Sequence, residues 1–86
     1  MFEWDEIKNR KNQEQRGLGF DLIENFDFET ARIIEGDRKE YGERRFRCFG
    51  RIDGIPYMIA FTPRHNKIRI ISMRRMHEKE ADHYGI

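Results

Sequence analysis

The chain has 86 residues, 37% hydrophobic, 38% charged and 13% aromatic, with 17 basic and 16 acidic side chains and one cysteine. This is room for one folded domain with a modest core, residues 1–86, and a lone cysteine excludes an intramolecular disulfide and a cysteine-based zinc site. No apolar run approaches the roughly 18 residues that span a bilayer, and the start Met-Phe-Glu-Trp-Asp is too acidic for a secretory signal, so a soluble cytoplasmic protein with no membrane role is expected.

Phe2 to Trp4 reads as a short strand. Asp5 suits the N-cap of a polar helix that runs to Arg16 and is closed by Gly17, with Trp4, Ile7 and Leu18 as its few apolar anchors. Phe20, Ile23 and Phe26 fall at helical spacing and predict a second short helix over about residues 20–27. Residues 31–35 are β-prone, and 36–42 form a charged loop.

Beyond that loop the pattern changes to period two. Asp53-Gly54 is a strong hairpin signal and predicts a two-residue turn between strands at 44–52 and 55–63. The implied register pairs Phe46 with Phe61, Cys48 with Ile59 and Gly50 with Tyr57 on a core face. It pairs Arg45 with Thr62, Arg47 with Ala60, Phe49 with Met58 and Arg51 with Pro56 on the other. A second hairpin through His65-Asn66 sets Thr62 opposite Arg69 and Phe61 opposite Ile70. Strict alternation then sends Ile68 and Ile70 to the core and Arg69, Ile71 and Met73 to the arginine face. Residues 76–84 read as a short terminal helix.

The near-neutral total hides a strong asymmetry. From residue 44 to residue 75 there are nine basic side chains and one acid, Asp53, while both flanks are acidic. Such a local positive field attracts polyanions whatever the net charge. The predicted row Arg45–Thr62–Arg69 crosses three strands, with Arg47 one step along, Arg64 and Lys67 at the hairpin end, and Arg74 and Arg75 at the strand terminus.

Guanidinium groups are planar forks matched to phosphate oxygens, so this face suits an RNA backbone. Cleavage of RNA without metal needs activation of the 2′-hydroxyl, neutralisation of a pentacovalent phosphorane and protonation of the leaving 5′-oxygen. Arginines meet the second need. For the proton transfers the candidates are His65, His77, Glu78, Glu80 and Tyr84. A solvated strand face is the plainer reading of an arginine stripe, but Phe49, Met58, Ile71 and Met73 among the arginines would form an apolar patch suited to a partner or to RNA. His77 and His83 lack the spacing of a helical metal pair, so neither metal nor cofactor is expected. Cys48 reads as a core thiol, and Glu43 is placed to orient Arg45 or Arg44.

A longer set of residues carries a resemblance: Phe2-Glu3-Trp4-Asp5, Lys8, Asn12, Gly17, Phe20, Phe26, Gly42-Glu43, Arg45, Gly50, Phe61-Thr62, Arg64, Ile68-Arg69-Ile70-Ile71-Ser72, Arg74-Arg75, Glu80 and Tyr84. In this order and spacing the chain resembles the BrnT family, the toxins of bacterial type II toxin–antitoxin modules. The resemblance implies an α+β, RelE-like fold: N-terminal helices on one face of a twisted antiparallel sheet of about four strands, and a short C-terminal helix. It implies a ribonuclease that cleaves mRNA and blocks translation, with Arg45, Arg64, Arg69, Arg74, Glu80 and Tyr84 at the active surface. Arg47, Arg75 and Lys67 would add RNA contacts.

The implied partner is a BrnA-like ribbon-helix-helix antitoxin, two copies of each chain, which neutralises the toxin and alone contacts operator DNA. An acidic helix of that antitoxin would mask the arginines together with Phe49, Met58, Ile71 and Met73. The chain departs from the family at Gln15-Arg16-Gly17, where Lys-His-Gly is usual. The rival function is a non-catalytic RNA- or ribosome-binding module that uses the same arginines.

Overall fold

The computed structural model describes residues 1–36 and 42–86, so most of the loop expected at 36–42 lies outside the described residues. The elements are β1 (Phe2–Trp4), α1 (Glu6–Arg16), a 3-10 helix (Phe20–Asn25), β2 (Arg32–Glu35), β3 (Phe46–Ile52), β4 (Ile55–Arg64), β5 (Lys67–Arg75) and α2 (Glu78–His83). They form one five-stranded sheet in the order β1-β5-β4-β3-β2. Two expectations are corrected here: there are five strands rather than about four, and β1 runs parallel to β5, so the sheet is mixed. The second helix is a 3-10 turn, in keeping with its short span.

Both hairpins form where the turn chemistry placed them. Asp53 and Gly54 have φ of 50° and 79°, and His65 and Asn66 have φ of 50° and 63°. Two successive left-handed residues give the backbone twist that matches the flanking strands. The register of β3 and β4 runs from Phe46↔Phe61 to Ile52↔Ile55, as the first turn requires. Across the second hairpin Thr62 faces Arg69 and Phe61 faces Ile70, but Ala60 then faces Ser72. Ile71 is therefore the extra residue of a β-bulge.

The core lies between the sheet and the 3-10 helix. Phe20, Ile23 and Phe26 pack there on Cys48, Ile52, Tyr57, Ile59, Phe61, Ile70 and Met73. Burial pushes the Cys48 thiol up to about 11, which suits an inert core residue. Gly50 is needed for close approach: a Cβ there would come within 2.5 Å of the Phe26 ring.

α1 is attached differently from what its apolar residues suggest. Ile7 is 77% exposed and anchors nothing, whereas the buried residues of the helix are Asn9 and Asn12. Asn9 Oδ1 accepts from Phe20 N–H at 2.8 Å and Asn12 Nδ2 donates to Leu18 O at 2.9 Å. The helix thus binds the following loop through amides that satisfy buried backbone groups. Its ends are conventional: Asp5 accepts from Ile7 N–H at 2.9 Å, and Gly17, at φ 70°, donates to Gln13 O at 2.8 Å. None of the described helices is long and apolar enough to cross a membrane.

Replacing Asn9 by Ala leaves the Phe20 N–H buried without an acceptor, a loss of about 1–3 kcal/mol. Urea unfolding should show a lower midpoint at unchanged slope. A midpoint equal to wild type would show that this amide does not secure the helix.

Candidate nucleic-acid interface

Strand alternation sorts the basic residues, and the bulge decides the last of them. On the face away from the core, adjacent strands form the rows Glu3–Arg69–Thr62, Ile34–Arg47–Ala60–Ser72 and Arg32–Phe49–Met58–Arg74, while Arg45, expected opposite Thr62, immediately precedes β3 rather than belonging to it. Arg64 and Lys67 face each other at the hairpin end of the same side. The middle strand contributes only small side chains to the first two rows, Thr62 and Ala60. The arginines of β5 and those at the start of β3 stand two strand spacings apart, about 10 Å, across that low floor. Thr62 is 1% exposed and its hydroxyl donates to Arg44 O at 2.6 Å, so it fixes the chain entering β3.

Several guanidinium groups are held by carboxylates. Arg45 places Nε and Nη2 on Glu43 Oε1 at 3.2 and 3.1 Å. Arg74 makes a bidentate pair with Glu80 at 3.0 and 2.6 Å, and Arg51 makes one with Glu78 at 2.9 and 3.3 Å. Arg69 is the most loosely engaged, with Nη1 3.8 Å from Glu3 Oε1. The guanidinium of Arg47 lies 5.8 Å from the Phe49 ring centroid.

Hydrogen bonds from Arg74 hold the Glu80 carboxyl below its ordinary value, with burial opposing, and those from Arg51 do the same for Glu78. Arg74 is raised in turn, first by its hydrogen bond to Glu80, while the Tyr84 phenol adds a smaller attraction. Tyr84 follows Glu80 by one helical turn, its backbone N–H donating to Glu80 O at 3.3 Å.

The apolar patch expected on this face is not there as drawn. Met73 is 0% exposed in the main core, because the bulge at Ile71 shifts the alternation and turns Met73 inward while bringing Ser72 and Arg74 out. Phe49 is 1% exposed: α2 lies over this face, and Tyr84 stacks on Phe49 with ring centroids 3.7 Å apart. Met58 is half-buried in the same small cluster with Met76 and Ala81. Ile71 lines a groove beside α1.

Arg75 is opposite Tyr57, so alternation sends it to the side away from Arg74. Arg44 also leaves the group, paired with Glu35 at 2.8 Å beside Phe46. Sequence reasoning missed Arg32, which reaches Tyr84 O at 3.5 Å, and the pairing of Arg51 with Glu78. The doublet Ile70-Ile71 was the available sign of the bulge, since it breaks and restarts the apolar alternation.

A carboxyl held low in the folded state stabilises above the ordinary carboxylate pKa, about 4.3, and that contribution is lost as pH falls through the lower folded value. Wild type should therefore lose more stability than Glu80→Gln between about pH 6 and pH 3, as read by urea midpoints. The difference is modest, because both side chains of the pair are partly exposed. Parallel curves would show that the pair contributes nothing.

A comparison with curated proteins gave no match. The family of the ribonuclease toxin BrnT of type II toxin–antitoxin systems matches residues 4–80, which is nearly the whole chain. That span takes in β2 to β5, the basic face and the Arg74–Glu80 pair, and on it the chain belongs to the BrnT family of ribonuclease toxins.

Proposed function

We propose that this protein is a RelE-like, metal-independent endoribonuclease that cleaves mRNA in the cytoplasm and so inhibits translation. The observation that carries the reading is Arg69 opposite Thr62, with Arg45 at the entry to β3 and Arg47 within it, beside Arg74, Glu80 and Tyr84. Arg45 and Arg69 bind the scissile phosphate and offset the charge that accumulates on the phosphorane. Preorganised charge at that point is usually the largest catalytic contribution. Arg69 is the fork best placed to exchange its carboxylate for a phosphate, because its contact with Glu3 is long.

Arg64, Lys67 and Arg47 guide the flanking backbone, and Arg74 positions it next to α2. Glu80 spends both oxygens on Arg74 and has a lowered pKa, so it acts as a positioning residue for that guanidinium. Proton transfer then falls to Tyr84, whose ring is fixed by its stack on Phe49.

A type II module includes an antitoxin, and we infer that a BrnA-like ribbon-helix-helix protein fills that role as two copies of each chain, with operator DNA contacted only through the antitoxin. An acidic segment covering the open arginine rows would neutralise the toxin by occupying the phosphate sites. One observation favours a second reading, RNA or ribosome binding without scission: the acid nearest the arginines is already saturated by hydrogen bonds.

Purified protein should cut single-stranded RNA in EDTA. Arg69→Ala should lower the rate by about 10²–10³. Its stability should stay within about 0.5 kcal/mol of wild type, as for other partly exposed positions. Intact RNA after incubation with folded wild type would remove the catalytic reading and leave the binding one.

A further inference from the structure

α1 carries cations that the arginine face does not account for. Lys8, Lys11 and Arg16 recur at helical spacing along one side of the helix, and with Ile71 and Ser72 they line a groove of about 160 Å3. The groove exists because β1 covers β5 only as far as Ile70. From Ile71 onward no strand among the described residues lies beside that edge of β5, and α1 borders the opening instead. Arg16 fixes the border, since Nη1 donates to Met73 O at 3.2 Å and to Asn12 Oδ1 at 3.4 Å.

Two facts connect this groove with the arginine rows. Ser72 belongs to both: it lines the groove, and it stands opposite Ala60 between Arg69 and Arg74 on β5. Moreover, Lys8, Lys11 and Arg16 have no carboxylate partner among the described residues, whereas Arg45, Arg51, Arg69 and Arg74 each have one. Cations without a local counter-charge gain most from an arriving phosphate.

We propose that the groove is a second phosphate subsite: an RNA strand held on the arginine rows crosses the open edge of β5 at Ser72 and lays a flanking phosphate against Lys8, Lys11 and Arg16. The proposal rests on the reading of the arginine face as an RNA site. It extends the RNA contact from the sheet onto the helix on its other side, and the bulge provides the crossing point.

The test measures binding of a 2′-O-methyl RNA of about 12 nucleotides, within the range that single-strand sites cover, across a series of salt concentrations. This probe lacks the attacking hydroxyl, so binding is read without scission. Each phosphate neutralised contributes about 0.7 to the salt slope of a single strand, so losing this one contact in Lys8→Gln/Lys11→Gln should flatten the slope by about 0.7.

Arg10→Gln, an exposed α1 cation outside the groove, should leave it unchanged. The lysines are exposed, and thermal unfolding of each variant confirms an intact fold. A wild-type slope in the double variant, or an equal loss with Arg10→Gln, would overturn the subsite. A flattened slope supports it whether or not the unmodified RNA is cut, while wild type that fails to bind the probe sinks the subsite and the RNA reading together.

Discussion

The pairing of β4 with β5 governs both sides of the sheet. Up to Ile70 the strand alternates as the turn dictates, and from Ser72 it alternates in the opposite sense, because Ile71 has no residue across from it. One extra residue thereby closes the core with Met73 and sends Arg74 to the same side as Arg69. Without the shift, a methionine would face solvent and an arginine would point into a layer of phenylalanine and isoleucine, which burial of an unpaired charge makes prohibitive. The apolar demand of one face thus sets the electrostatics of the other.

The second constraint is charge held in place. Arginines on a sheet repel one another, and each carries considerable side-chain entropy. Glu43, Glu80 and Glu78 offset the repulsion and hold the forks in defined orientations. A carboxylate oxygen pair resembles a phosphate edge in charge and geometry, so each pair keeps its guanidinium ready for an anion of similar shape. Such readiness comes at the cost of exchange: an incoming phosphate must displace a carboxylate. Arg69 has the longest contact and Arg74 the shortest, so the face contains both an easily vacated site and a firmly braced one.

Much of this was legible from residues alone, and the reasons are specific. Asp53-Gly54 and His65-Asn66 fixed two turns and with them the opposition of Phe46 to Phe61 and Thr62 to Arg69, because two-residue hairpins allow little freedom of register. The family residues from Phe2 to Tyr84 gave the toxin family. What escaped notice depended on contacts between distant segments. Phe49 and Met58 read as exposed because alternation cannot know that α2 returns to cover them. Ile7 read as an anchor because it is apolar, although Asn9 and Asn12 attach the helix through amides, a form of attachment that hydrophobic periodicity does not register. The place of β1 beside β5 is likewise invisible locally, since three residues carry no sign of which edge they join.

That last pairing bears on the order in which the protein folds. Phe2 stands alongside Ile68, so β1 waits for β5, the last strand of the sheet in chain order, before it has a neighbour. The β3–β4–β5 meander can assemble from segments adjacent in the chain, whereas β1, and the helix that follows it and packs on β5, must close a loop of more than 60 residues. A partly folded chain would therefore carry a half-built arginine surface flanked by an undocked, lysine-bearing helix until that loop closes. Closure of the whole basic surface would come late and in one step, with the docking of β1 beside β5.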